Sequence, residues 1–165
     1  MEMLDKAVFV TALLAALGAG LMAGLFFIFS NTIMRSLGRL PSADGMAAMQ
    51  SINTTIQNPL FLGVFMGAGL LSVLAIIFAF VDWRYSSSVF LIAGGIFYLA
   101  GSLLVTMVFN VPMNKALDAA VPGDAGARLW QDYLINWTRW NHMRALACLF
   151  SSASFILALA YRGAR

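Results

Sequence analysis

Four stretches of this chain carry no Asp, Glu, Lys, Arg or His: residues 7–30, 59–81, 85–109 and 145–161. No other feature limits the fold as tightly. A helix that crosses a membrane needs about 20 predominantly apolar residues, and the first three stretches have them. As a helix the fourth rises only about 26 Å, short of the ~30 Å hydrocarbon core. Begun at His142, it reaches full thickness. The expected spans are therefore 7–30, 59–81, 87–109 and 142–161. The expected fold is an all-α transmembrane four-helix bundle, one membrane domain over 1–165. Only 10% of the residues are charged, against about a quarter in a soluble domain.

Four spans place both termini on the same side as the short 82–88 turn. Lys6, Arg84, Arg162 and Arg165 share that side within short flanks, and short flanks weigh most in setting orientation. The expected location is the cell membrane, multi-pass, with cytoplasmic termini. Glu2 and Asp5 make a poor basic leader, so the first span is expected to be retained. The long segments 31–58 and 110–141 fall on the opposite face, where short interfacial helices are expected. Ser42 is a candidate N-cap for one of them. Gln50, Asn53 and Gln57 then share a helical face, with Met49, Ile52 and Ile56 beside it. Val121-Pro122-Gly123-Asp124 reads as a turn, after which a helix runs directly into the fourth span. Gly20-x-x-x-Gly24 and Gly63-x-x-x-Gly67 have the spacing that lets helices approach closely in lipid.

The formal charge of +3 is small and dispersed, which argues against nucleic acid as a partner. The bilayer is the expected partner, and homo-oligomerisation is left open. One cysteine, Cys148, allows neither an internal disulfide nor a cysteine-based zinc site.

The neutral polar residues are unevenly distributed. Every asparagine (31, 53, 58, 110, 114, 136 and 141), every glutamine (50, 57 and 131) and the single histidine lie at or beyond one membrane face. Loop polarity accounts for Gln131 and Asn136. It accounts less well for Asn31 and Asn110, which sit where a span meets the interface, because an amide near hydrocarbon is costly unless hydrogen-bonded. A shared polar pocket is therefore expected, with Asn31, Gln50, Asn53, Asn110, Asn114, Trp137 and Trp140 as ligand-binding candidates. Trp137, Trp140 and Arg144 also fit the role of ordinary interface anchors, with Arg144 able to lie on the Trp140 ring as a cation–π pair. His142 is the one side chain near a span that titrates around neutral pH, and it is expected to face the bundle interior. Copper(I) on His142 with Met34, Met49, Met113 or Met143, or haem on His142, ranks below a metal-free pocket.

Four blocks, GLFFIFSNTIMRSL (24–37), MQSINTTIQNPLF (49–61), FNVPMNKAL (109–117) and WTRWNHMRA (137–145), together resemble a known family. It is the family of small four-span membrane proteins that includes the anthrone oxygenases of polyketide pathways. The resemblance runs from about residue 18 to residue 158. It implies oxidation of an electron-rich, lipophilic phenolic polycycle to a quinone by dioxygen, with neither metal nor flavin. On that reading His142 is the general base, Arg144 or the amides of Asn53 and Asn141 stabilise the oxyanion, and Trp137 and Trp140 stack on the flat rings. The alternative is a non-catalytic membrane protein that binds a small lipophilic molecule or packs as a subunit of a larger complex. It is favoured by the lack of a carboxylate placed to orient His142, since Asp132 lies about 15 Å up the same helix.

Overall fold

A computed structural model describes residues 2–163, and within them every regular element is a helix. Five helices follow in order: α1 Glu2–Leu37, α2 Ser42–Thr55, α3 Pro59–Val81, α4 Tyr85–Asp118 and α5 Asp124–Gly163. All but α2 are long and apolar enough to cross a membrane. Three of these four outrun their apolar blocks, because helical hydrogen bonding continues after the hydrophobic pattern ends. The fourth span in particular belongs to one continuous helix of 40 residues.

The boundaries follow local chemistry. The Asn58 side chain accepts the Phe61 N–H at 3.0 Å with Pro59 at the first helical position, an arrangement suited to a helix start. α2 starts differently from expectation. The Pro41 carbonyl accepts the Asp44 and Gly45 N–H groups, so Ser42 is the first helical residue and its side chain caps nothing. Between α4 and α5 the backbone reverses at Gly123, whose φ of +144° is readily adopted only by glycine.

Both ends of the described chain lie beside the α3–α4 turn. Arg162 reaches Asp5 at 2.6 Å and Asp82 at 2.6 Å, while Arg84 reaches the same two carboxylates at 2.8 and 2.9 Å. This cluster ties α1, the turn and α5 together, and the Arg162 guanidinium beside Asp5 holds its carboxyl below the usual range. At the other end α2 packs on the last turns of α4 and the first turns of α5. Gln50 Nε2 donates to the Leu117 and Ala120 carbonyls at 2.8 and 3.1 Å, satisfying acceptors that a helix C-terminus leaves free. The two long segments are thus ordered and packed together.

Small residues let the helices approach, although not where the glycine spacing suggested. A Cβ at Gly24, Gly63 or Gly67 would meet nothing within 4 Å, and only Gly20 is near a neighbour, Ser152. Those three glycines lie on or near the outer surface. The close crossings use Ala12, Ala15 and Ala16 of α1 with Ala75 and Ala79 of α3, Ala19 of α1 with Ala68 of α3, and Gly101 of α4, where a Cβ would collide with Ala147 of α5. Large apolar side chains cover the outside, among them Leu17, Leu21, Phe27, Leu60, Leu70, Phe80 and Phe150. So extensive an exposed apolar surface is foreign to a soluble monomer.

Three π-helical turns interrupt the ladder: Phe29–Ile33 in α1, and Leu99–Leu104 and Thr106–Asn110 in α4. Such turns are rare and tend to mark functional positions. All three lie in the half of the bundle that faces α2.

Candidate functional site

Between α1, α2, α3, α4 and α5, in that same half, lies a cavity of about 320 Å³, within the range that accepts small organic ligands. Its walls are apolar: Phe26, Phe29, Met49, Ile52, Phe61 and Phe65 contribute. A few polar groups converge on it, namely Asn53, Thr106, Asn110, Asn114, Asp118 and Arg144.

Arg144 is only 5% exposed, and among the described residues it has no carboxylate partner. Its Nη2 donates to Asn141 Oδ1 at 2.6 Å and its Nη1 to Thr106 Oγ1 at 3.1 Å. The guanidinium lies 4.2 Å from the Phe26 ring centre and 5.3 Å from that of Trp137, close enough for attraction to both faces. Asn141 is itself fixed, its Nδ2 donating to the Phe26 carbonyl at 2.6 Å and to Ser30 Oγ. Four neutral groups therefore hold a buried cation that no described residue neutralises. A buried charge without a counter-ion is costly. Moreover, Arg144 Nε and Asn110 Oδ1 are buried without any hydrogen-bond partner. Burial without partners is the exception in native proteins, and here both residues line the cavity.

The wall towards α2 is built from interlocked amides and aromatics. Trp130, Tyr133 and Trp137 stack in sequence along α5, with ring centres 5.7 and 5.8 Å apart. Asn114 Oδ1 accepts both the Tyr133 hydroxyl at 2.9 Å and the Trp137 indole N–H at 2.7 Å. Burial pushes the Tyr133 phenol well above its ordinary range, so it stays a donor. Asn53 Nδ2 donates to Asp118 Oδ1 at 3.1 Å. With Gln57 and Lys115, Asp118 forms an exposed polar mouth to the cavity.

The structure sorts the expected site residues into three groups. Asn53, Asn110, Asn114, Trp137 and Arg144 line the cavity. Gln50 and Asn141 stand behind it, positioning α4 and Arg144 respectively. Asn31, Trp140 and His142 lie outside. Asn31 is exposed on the outer side of the α1 π-turn. Trp140 stacks on Phe109 with ring centres 3.6 Å apart, so Arg144 lies over Phe26 and Trp137 instead of Trp140. His142 is exposed, not interior. The inward stripe of α5 runs through Trp137, Asn141, Arg144 and Cys148, and the next residue after Asn141 is rotated about 100° away from it. Met143 is exposed beside His142, whereas Met34 and Met49 are buried in the core around Trp130 and Trp137, which leaves the proposed copper ligands apart. Sequence reasoning had no signal for Phe26, Phe65 and Thr106. It also passed over Asp118, the carboxylate at the mouth.

A family model described as Anthrone oxygenase matches residues 60–154. The chain belongs to the anthrone oxygenase family. The match takes in α3, α4 and most of α5, hence Thr106, Asn110, Asn114, Asp118, Trp137, Asn141 and Arg144. The family region thus contains the cation and its two hydrogen-bond partners, Thr106 and Asn141, while α1 and α2 supply the facing walls. No curated protein and no solved structure matches the chain.

Proposed function

We propose that this protein is a multi-pass membrane oxygenase that converts a lipophilic, anthrone-like phenolic to a quinone with dioxygen. Arg144 carries the reading: a buried, unpaired cation in an apolar, aromatic-walled cavity suits a flat molecule that acquires negative charge on oxygen. In an anthrone the ketone and the acidic CH₂ lie at opposite ends of the central ring. With the ketone oxygen at Arg144, the CH₂ points towards the polar mouth and Asp118. Loss of a proton there gives an enolate, and Arg144 stabilises its oxyanion in a low-dielectric setting where such contacts are strongest. The enolate reduces dioxygen by one electron, and recombination forms a C–O bond and a hydroperoxide. Loss of the remaining C–H proton breaks the O–O bond, leaving the second carbonyl and releasing water. Asp118 and water at the mouth are the proton acceptors in place of His142, which lies outside.

One observation favours the non-catalytic alternative: the cavity's carboxylate sits at its exposed rim and not beside Arg144. The deciding experiment supplies an anthrone and ¹⁸O₂ to the protein in lipid nanodiscs. One ¹⁸O per quinone, with rates falling about 100-fold in Arg144→Met, the scale of a lost oxyanion donor, supports the oxygenase. Tight binding of the anthrone without conversion above background supports a binding protein.

A further inference from the structure

On one side the wall of the cavity is also the apolar outer surface of the bundle. Leu62 and Met66 of α3 and Met107 of α4 line the cavity and are also 42%, 55% and 62% exposed on the outer surface of the bundle. These side chains are the wall between the cavity and whatever surrounds the protein. Met66 lies seven residues, about 10 Å, along α3 from Pro59, within the apolar stretch and away from the polar loops. Leu70, one turn further along α3, and Leu104 and Val108 of α4 are exposed and apolar as well. The two helices diverge here. α3 packs closely against α4 from the turn up to Leu99–Leu104, and that packing thins out over Thr106–Asp118. The separation begins where the two π-helical turns of α4 fall.

We infer that Leu62, Met66 and Met107 form a lateral portal through which the lipophilic ligand passes between the bilayer and the cavity. This rests on the membrane insertion proposed above and is independent of turnover. Methionine suits the role. It is unbranched, with three rotatable bonds, and swings aside at little cost. A ligand dissolved in lipid then reaches Arg144 without crossing water, and the exposed mouth at Gln57, Lys115 and Asp118 serves protons and water. Met66 and Met107 set which ring widths are admitted.

The test uses the full-length protein in nanodiscs with Cys148→Ser and Ile52→Cys, which places a reporter thiol on the cavity wall. A dodecyl-maleimide dissolved in the lipid and a sulfonated, water-soluble maleimide are compared by mass spectrometry. The portal requires that Met66→Trp with Met107→Trp slow the lipid-borne reagent at least tenfold and leave the sulfonated reagent unchanged. It also requires that Gln57→Trp do the reverse. Lipid-borne labelling that ignores the portal tryptophans, or that Gln57→Trp blocks, overturns the inference. If both reagents change together in the double variant, the fold has shifted, and Met107→Phe alone decides: an intermediate slowing confined to the lipid-borne reagent supports the portal, and its absence overturns it. Since the readout is labelling, a negative turnover assay would sink the oxygenase reading and leave the portal standing.

Discussion

Arg144 Nη2 donates to Asn141 Oδ1 across 2.6 Å, from residues three apart on one helix face. Asn141 in turn donates to the Phe26 carbonyl and to Ser30 on α1, so one amide couples the cation to the neighbouring helix. Asn141→Leu is expected to leave Arg144 and two α1 acceptors short of partners. The cost should be about 1–3 kcal/mol, the desolvation penalty of unsatisfied buried groups. Unfolding in mixed micelles measures it, and an unchanged midpoint would show that water replaces the amide.

Arg144→Met should separate function from stability. Removing the cation leaves Asn141 and Thr106 less well satisfied but also removes an unpaired buried charge. The two effects oppose, and the expected net change is within about 1 kcal/mol. Ligand binding should collapse, while Arg144→Lys keeps part of it through the retained charge. Isothermal titration with a non-oxidisable hydroxyanthraquinone reads the difference.

His142→Ala should bind the same hydroxyanthraquinone with an affinity within about twofold of wild type, since surface changes away from special features are usually small in effect. Because its ring is on the outer face of α5, its removal leaves the cavity intact. A loss near 100-fold, in binding or in turnover, would restore it to the site.

Gly101→Ala should cost about 1–3 kcal/mol, the usual range for overpacking, because the new methyl collides with Ala147. Ala147→Gly should recover much of that loss in the double variant. A double-mutant cycle on unfolding midpoints gives the coupling; strictly additive effects would place the helices further apart than they are.

Asp5→Asn should lower the unfolding midpoint at pH 7 by removing the acceptor shared by Arg84 and Arg162. Asp5 is an acid whose folded pKa is depressed, so its contribution is present above its ordinary value of 3.8 and is lost as pH falls through the lower folded value. The gap between wild type and variant should therefore be full at neutral pH and shrink below about pH 4. A gap that persists at pH 2 would assign the effect to packing.

Much of the fold is legible because uncharged blocks of membrane length admit few alternatives. The shared end of the termini follows from an even number of spans. The amides on one face also announced the cavity, since Asn53, Asn110 and Asn114 do line it. The misreading of His142 has a physical cause. His142 stands out for its chemistry and for where the span needs to begin, and neither says which way a side chain points. Trp130, Tyr133, Trp137, Asn141, Arg144, Cys148, Ser151, Phe155 and Ala158 are buried on α5 at spacings of three or four. That periodicity was present in the sequence, and it leaves His142 off the buried stripe. The contributions of Phe26, Phe65 and Thr106 were not legible. They depend on where three helices cross and on π-helical turns that leave no clear mark in the residue pattern.

The uninterrupted α5 has a consequence for how this chain tolerates change in length. Its 40 residues carry the aromatic stack, the cation and the distal arginine on one rigid rod. A single residue inserted between Trp137 and Arg144 would turn everything beyond it by about 100°, swinging Arg144 towards the outer surface and Arg162 away from Asp5. One deletion there would disarm both ends of the protein at once. Insertions and deletions are therefore admissible in the 38–41 and 119–123 connections, and the stretch from 124 to 163 must vary by substitution alone.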